Sequence, residues 1–373
     1  MEKRIMLKKI TIKNFKCFKD LTFDLTAAEY SFNSDLIRCG IVNKALVYGR
    51  NGTGKTSLGF AIFDIVQHLT DRMALSPLYT LYYRNLNSNE PVVSFQYTFY
   101  FDGQELIYSY EKDATQALLK EKLALKDKVL VDYNYQNKDQ QFVSSDLVGN
   151  LDIHLPDNKL SILKYIHRNT PTNSSSMLSK LIHFCENMLW FRCLSEGNTY
   201  CGLTNGTMSL EQMLFESGKL PDFISFLKEN RLNYDLDFED EGGVHYLYAY
   251  FNNRKDKARF AAIASAGTRS LWLLFDWLIA GRDRLTLLFI DEFDAYYHYE
   301  TAASVVTRLN HQQQYQSILT THNTYLMQNA LTRPDCCFLL NGDTIKSLKN
   351  STDRELREAH NLEKLYVNGA FSE

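Results

Sequence analysis

Gly49-Arg50-Asn51-Gly52-Thr53-Gly54-Lys55-Thr56 fits the pattern G-x-x-x-x-G-K-[ST] at every position. KALVY (Lys44 to Tyr48) precedes it as a short apolar strand, and SLGFAIFDIVQHL (Ser57 to Leu69) follows with helical periodicity. Strand, glycine loop and helix in that order make a phosphate cradle. The glycines let consecutive backbone N–H groups turn inward, and the helix N-terminus adds positive potential. In such a cradle Lys55 reaches the β- and γ-phosphates of a nucleoside triphosphate, and the Thr56 hydroxyl ligates Mg²⁺. Gly49, Asn51, Gly52, Thr53, Gly54 and Ser57 complete the binding set. The competing reading is an accidental glycine turn, about one per cent for a chain of this length and glycine usage. The flanking strand and helix lower it further.

A phosphate loop needs a carboxylate to hold the metal. LLFIDE (Leu287 to Glu292) is an apolar strand ending in Asp291, placed for the magnesium shell, and Glu292, which can polarise an attacking water. Taken alone, an apolar run ending in Asp-Glu is an ordinary strand end. The phosphate loop gives it meaning. Lys55 and Asp291 lie far apart in the chain, so a large insertion separates them. Beyond LLFIDE, Thr320-Thr321-His322-Asn323 closes another short strand, and His322 at its tip is a candidate γ-phosphate sensor. Asp294 and His298, in EFDAYYHYE, are weaker candidates for contact beside the nucleotide.

Strand and helix alternate from Phe260 onward: a loop SAGTRS (Ser265 to Ser270), a helix LWLLFDWLIAG, the strand LTLLFIDE, a helix ASVVTRL, the strand SILTTHN, and a strand pair at CCFLL and TIKSL. This predicts an α/β fold with a largely parallel sheet around the phosphate loop. A last helix and docked tail are expected in LEKLYVNGAF. The N-terminal half adds KKITIKNF, LTFDL and a hairpin over SFQYTFYFDGQELIYSY, where Val93, Phe95, Tyr97, Phe99 and Phe101 alternate and Asp102-Gly103 supplies the turn. Residues 112–254 read as an inserted, mostly helical or mixed unit between two lobes, 1–111 and 255–373. Within the insertion, Thr170 to Met177 reads as a loop tip, and no sustained heptad pattern supports a long coiled-coil arm. The acidic run DLDFEDEGG (Asp235 to Gly243) fails as a calcium loop, because Asp240 stands where glycine is needed and Tyr246 where glutamate is needed. It reads as a solvated turn before the strand VHYLYAYF.

Bulk properties bound the rest. A length of 373 residues with 45% hydrophobic and 23% charged composition suits a globular chain with a substantial core. The net charge of −3 gives no global pull toward nucleic acid. Lys3, Arg4, Lys8, Lys9, Lys13, Lys16 and Lys19 cluster near the start, and Lys120, Lys122, Lys126 and Lys128 form a second group. Both read as the wet sides of strands. Seven cysteines without C-x-x-C, with Cys185, Cys193 and Cys201 at eight-residue spacing, suggest free thiols in a reducing compartment. The start MEKRIMLKK lacks a signal peptide's apolar centre, and no apolar run approaches the ~20 residues that span a bilayer. A cytoplasmic location is expected.

The order of phosphate loop, long insertion, SAGT loop, LLFIDE and TTHN resembles ABC-class ATPases of the SMC, RecF and OLD kind. It is most similar to the stand-alone bacterial AAA-type ATPases of abortive-infection and anti-phage systems, the RloA and AbiLi kind. ITIKNFKCFKD resembles their opening strand and base-side loop, with Lys16 as a nucleotide contact, and IDEFDAYYH their Walker B and D-loop. SAGT stands where LSGGQ is commoner, with Ser265 and Gly267 retained, and no Q-loop glutamine is evident, Gln96 being in a hairpin. The resemblance implies ATP and Mg²⁺, a homodimer or larger assembly, and a SAGTRS loop that approaches the neighbouring subunit's γ-phosphate. In it Asp294 and His298 belong to the D-loop. It also implies a switch that controls an effector such as a nuclease, triggered by nucleic acid or a phage protein, with no membrane role. The alternatives are a RecF-like repair ATPase binding DNA ends or gaps, and a scaffold in which ATP only joins subunits.

Overall fold

The computed structural model describes residues 5–72, 77–101, 103–149, 151–155, 157–170, 176–192, 199–202, 208–280 and 283–371. Lys3, Arg4, Asp102, residues 171–175 of the expected loop tip, and Cys193 lie outside them. The chain opens with β1 (Met6–Phe15) and β2 (Phe18–Asp24), followed by the two-residue strands β3 (Ile37–Arg38) and β4 (Ile41–Val42). Then come β5 (Lys44–Tyr48), the helices α1 (Lys55–Leu69) and α2 (Pro77–Thr80), and the hairpin β6 (Val93–Phe101) and β7 (Gln104–Lys112). Next are β8 (Leu118–Leu125), β9 (Lys128–Asn134), β10 (Gln141–Val143), α3 (Ser145–Val148), α4 (Ile162–Asn169), α5 (Met177–Glu186), β11 (Met188–Arg192) and β12 (Thr199–Gly202). After α6 (Leu210–Ser217) and α7 (Leu220–Glu229) comes a three-stranded sheet of β13 (Asp235–Glu241), β14 (Val244–Phe251) and β15 (Asp256–Arg259). The C-terminal part holds α8 (Phe260–Ile263), α9 (Ala266–Ala280), β16 (Leu287–Asp291), α10 (Tyr299–Asn310), β17 (Gln316–Thr321), β18 (Cys337–Asn341), β19 (Thr344–Ser347) and α11 (Leu362–Val367).

Two seven-stranded sheets carry the fold. One is antiparallel throughout, in the order β10-β9-β8-β7-β6-β1-β2. The other runs β12-β11-β16-β17-β5-β18-β19, with β11, β16, β17, β5 and β18 parallel and an antiparallel strand at each edge. Alternate residues of the parallel strands feed two cores. Ala45, Val47, Leu287, Phe289 and Ile318 join α1 and the inner face of the antiparallel sheet. Leu46, Leu288, Ile290 and Leu319 pack toward α7, α9 and α10. The parallel sheet is therefore covered on both faces, and its strand ends are left for chemistry.

α1 is wedged between the sheets, and even its polar Asp64 is fully buried. The cost of that charge is offset locally. Lys112 Nζ and the Tyr110 hydroxyl donate to Asp64 Oδ1 at 2.5 and 2.8 Å, and the hydroxyls of Tyr83 (2.7 Å) and Tyr79 donate to Oδ2.

The structure departs from the sequence expectation in three places. Residues 112–254 are not largely helical: β8, β9 and β10 extend the antiparallel sheet, and β11 pairs in parallel with β16. Asp235 to Glu241 is a strand rather than a solvated turn, because its carboxylates find cations across the sheet. Arg254 pairs with Asp235 at 2.9 Å, and Lys257 and Arg259 pair with Glu239 and Glu241. SAGTRS is mostly helix, since α9 begins at Ala266 and the Ser265 hydroxyl caps its first turn by accepting from Thr268 N at 3.1 Å. The alternation from β16 to β19, the hairpin of β6 and β7, and the final helix match expectation. Cys185, Cys336 and Cys337 are buried free thiols, and Cys17 and Cys39 are exposed ones.

Candidate nucleotide site

β5, β16 and β17 end at one edge of the parallel sheet, where Thr321 is in register with Tyr48 and Ile290 with Leu319. The glycine loop leaves β5 at this edge, and Gly49 N donates to Thr321 O at 3.1 Å. Gly54, in the left-handed region at φ 105°, delivers the chain into α1. A Cβ there would lie 2.8 Å from Cys17 Sγ and 2.9 Å from the Phe18 ring, so the β1–β2 turn closes directly over the loop. Only glycine fits both the torsion and the space.

Lys55 is almost fully buried and folds back over the loop, donating to Gly49 O at 2.9 Å and Arg50 O at 3.2 Å. Its Nζ stands 3.4 Å from Glu292 Oε1. Thr56 Oγ1 donates to Asp291 Oδ2 at 2.7 Å. A hydroxyl and a carboxylate in contact are hard oxygen donors of the kind Mg²⁺ takes alongside phosphate oxygens and water, so these residues fit the ion. Thr53 Oγ1 bonds back to Arg50 O at 2.8 Å and shapes the turn, whose outer residues Asn51 and Gly52 are exposed. Ser57 hydrogen-bonds the Cys17 thiol.

The remaining candidates are distributed as follows. Glu292 sits at φ 47°, an uncommon conformation for a residue with a side chain, costing about 1–2 kcal/mol. His322 is exposed just beyond β17. Asp294 does not project outward: it is buried and its Oδ2 accepts from Thr321 Oγ1 at 2.8 Å, while burial holds its carboxyl above the usual range. His298 occupies the N-cap position of α10 with no capping bond from its side chain, and it is exposed. Lys16 is turned to the carbonyls of Tyr79 (2.7 Å) and Leu81 (2.5 Å), and burial pulls its ammonium down to about 8. Gln96 lies on β6 in the antiparallel sheet, paired with Thr11 and Ser109. Ser265 is exposed at the head of α9, bonded to Thr268. Gly267 packs against the turn after Glu292, where an added Cβ would stand 2.8 Å from Tyr296 O.

Thr320 is a further site residue, one that the sequence motifs do not mark. Its hydroxyl joins Asp291 and Glu292, and the only signal was a Thr-Thr pair closing a strand beside a histidine.

A family model described as "AAA domain, putative AbiEii toxin, Type IV TA system" matches residues 44–328. The chain belongs to this family. As a member of it, it carries an AAA domain of the P-loop kind with an α/β fold. No curated protein matches the sequence. Among solved structures, an SMC head domain from Thermotoga maritima is 15% identical with a TM-score of 0.43, covering 91% of this chain and 98% of that one. An SMC head with an extended coiled coil, bound to the C-terminal domain of ScpA and derived from Pyrococcus furiosus, is 12% identical (TM-score 0.48; 92% and 97% covered). The recombination mediator RecF is 11% identical (TM-score 0.41; 93% and 99% covered). Among the described residues of this family member, no helix is long and apolar enough to cross a membrane.

Proposed function

We propose that the protein is an ATP-hydrolysing switch of bacterial anti-phage defence, holding ATP and Mg²⁺ between two copies of itself and thereby controlling an effector such as a nuclease. One observation carries the hydrolytic part. Lys55, Thr56, Asp291 and Glu292 come from distant parts of the chain and converge within hydrogen-bonding or ion-pairing distance. The loop amides and Lys55 bind the phosphates, and Thr56 with Asp291 holds Mg²⁺, which neutralises charge on the transferred group when bound. Glu292 orients and polarises the attacking water, and His322 monitors the γ-phosphate from the end of β17.

The exposed Ser265 and the small residues around it support closure by a second copy. Backbone N–H groups at the head of α9 can approach phosphate closely only because no bulky side chain intervenes. The toxin–antitoxin wording of the family description supports a defence role over housekeeping repair. A RecF-like reading asks for an open cationic face. Lys8 lies 2.6 Å from Glu105 and Lys13 3.4 Å from Asp20, which weakens that face's pull on DNA.

The test is Glu292→Gln, assayed for ATP turnover and for mass by sedimentation with ATP and Mg²⁺. Wild type is expected to hydrolyse ATP, and the variant to lose turnover by about 10²-fold or more while accumulating as an ATP-bound dimer. Turnover by a strict monomer removes the shared-site reading. Negligible wild-type turnover favours the scaffold, and salt-dependent DNA binding lost in Lys9→Glu/Lys13→Glu favours repair.

A further inference from the structure

Thr320 stands at the end of β17 with no exposure to solvent, and its one hydroxyl serves both acidic residues of the site. Oγ1 donates to Asp291 Oδ1 at 2.8 Å and accepts from the Glu292 amide at 2.8 Å. A hydroxyl has one proton and two lone pairs. An ionised carboxylate can only accept and an amide N–H can only donate, so the sense of both bonds is fixed.

The consequences differ for the two partners. Asp291 has Oδ1 tied to Thr320 on β17 and Oδ2 tied to Thr56 on α1, so hydroxyls from two separate elements set the plane of its carboxylate. For Glu292 the effect is on the backbone. Its left-handed φ of 47° sends the chain away from β16 and turns its carboxylate to within 3.4 Å of Lys55 Nζ. Thr320 holds that turn twice, through the Glu292 amide and through its own carbonyl, which accepts from Phe293 N at 3.1 Å.

We propose that Thr320 is a positioning residue for ATP hydrolysis, fixing the metal-facing carboxylate and the water-facing glutamate through one hydroxyl. This rests on the ATPase reading above. The group acts through Asp291 and Glu292 rather than on the nucleotide. The analogy is with groups that orient metal ligands, whose loss costs roughly 10–100-fold in metal affinity or activity. Errors of about 1 Å in aligning reacting groups cost a similar factor.

Thr320→Val keeps the volume and removes the hydroxyl, whereas Thr320→Ser keeps the hydroxyl. Steady-state turnover is measured for wild type and both variants across a Mg²⁺ titration, with thermal melts and fluorescent-ATP binding alongside. The expectation is a kcat lowered about 10–100-fold in the valine variant, a half-saturating Mg²⁺ concentration raised about tenfold, and a KM for ATP that moves much less. The serine variant should stay within about threefold of wild type. An active wild type with a valine variant of equal kcat and Mg²⁺ dependence overturns the proposal. So does equal impairment of both variants, which would assign the effect to side-chain packing in β17. Should valine prevent folding, Thr320→Ala is the second hydroxyl-free variant and is judged by the same criteria. A wild type without turnover defeats the ATPase reading instead. The Asp291 half is then decided by binding, since the valine variant must lose Mg²⁺ dependence of nucleotide affinity and serine must keep it.

Discussion

Thr56 Oγ1 donates to Asp291 Oδ2 across 2.7 Å, joining the first turn of α1 to the last residue of β16. The two strands behind these residues, β5 and β16, are not neighbours, because β17 lies between them. The contact is therefore made over the top of β17, at the edge where the glycine loop sits. Thr56→Val and Asp291→Asn should each weaken Mg²⁺-dependent nucleotide binding by about 10–100-fold. Binding measured with EDTA in place of Mg²⁺ should change much less, since the phosphate loop itself is untouched. Calorimetric titration with and without the ion checks this.

The exposed Ser265 bears on where the active site is completed. If its loop serves a second copy, Lys55→Ala and Ser265→Arg damage different halves of one shared site. Each alone should be nearly inactive. Mixed in equal amounts, they form heterodimers with one intact site, and statistical pairing restores about a quarter of wild-type turnover. Activity that stays absent on mixing, with exchange of subunits demonstrated, would mean that Ser265 serves its own nucleotide.

The Asp64 cluster ties α1 to the antiparallel sheet, with Lys112 Nζ 2.5 Å from Asp64 Oδ1 and both side chains essentially unexposed. Removing one partner of such a pair leaves a buried charge. Lys112→Met should cost about 3–5 kcal/mol, while a double change with Asp64→Asn should recover part of it, because the neutral amide keeps an acceptor for the hydroxyls of Tyr79, Tyr83 and Tyr110 without an unpaired charge. Urea unfolding of the two variants measures the difference. Because α1 starts at Lys55, the single variant should also weaken nucleotide binding.

The phosphate loop and LLFIDE were legible because the chemistry constrains them locally: glycines for close amides, a lysine, a hydroxyl, and an apolar strand ending in carboxylates. The sheet around them followed from alternation. Asp235 to Glu241 is not legible as a strand, because it depends on Arg254, Lys257 and Arg259, which become neighbours only once the sheet forms. SAGTRS looked like a loop because glycine and serine are poor helix formers, yet Ser265 is used as a cap and Gly267 sits where only a bare Cα clears Tyr296 O. Thr320 was invisible for a further reason. Nothing in LLFIDE announces that Glu292 takes a left-handed turn, and without that turn a strand threonine has no task.

Asp276 supplies a pH dependence. It lies in α9, is 3% exposed, and burial pushes its carboxyl up to about 8, with the Trp272 indole opposing the shift. An unfolded aspartate titrates near 3.9. The folded state therefore binds this proton more tightly than the unfolded state. Its contribution is fully present below about pH 4 and is lost progressively as pH rises toward 8. Glu121 on β8, raised to about 7 by burial, works in the same sense and makes the wild-type slope steeper. Lys16 and Lys44, lowered by burial to about 8 and about 7, act in the opposite sense, equally in wild type and variant. Asp276→Asn removes only the Asp276 contribution, so the stability of the variant relative to wild type should rise between pH 5 and 8, and the variant should be the more stable protein at pH 8. Denaturant unfolding at pH 5, 6.5 and 8 measures both slopes, and parallel curves for the two proteins would mean that the Asp276 carboxyl ionises normally in the fold.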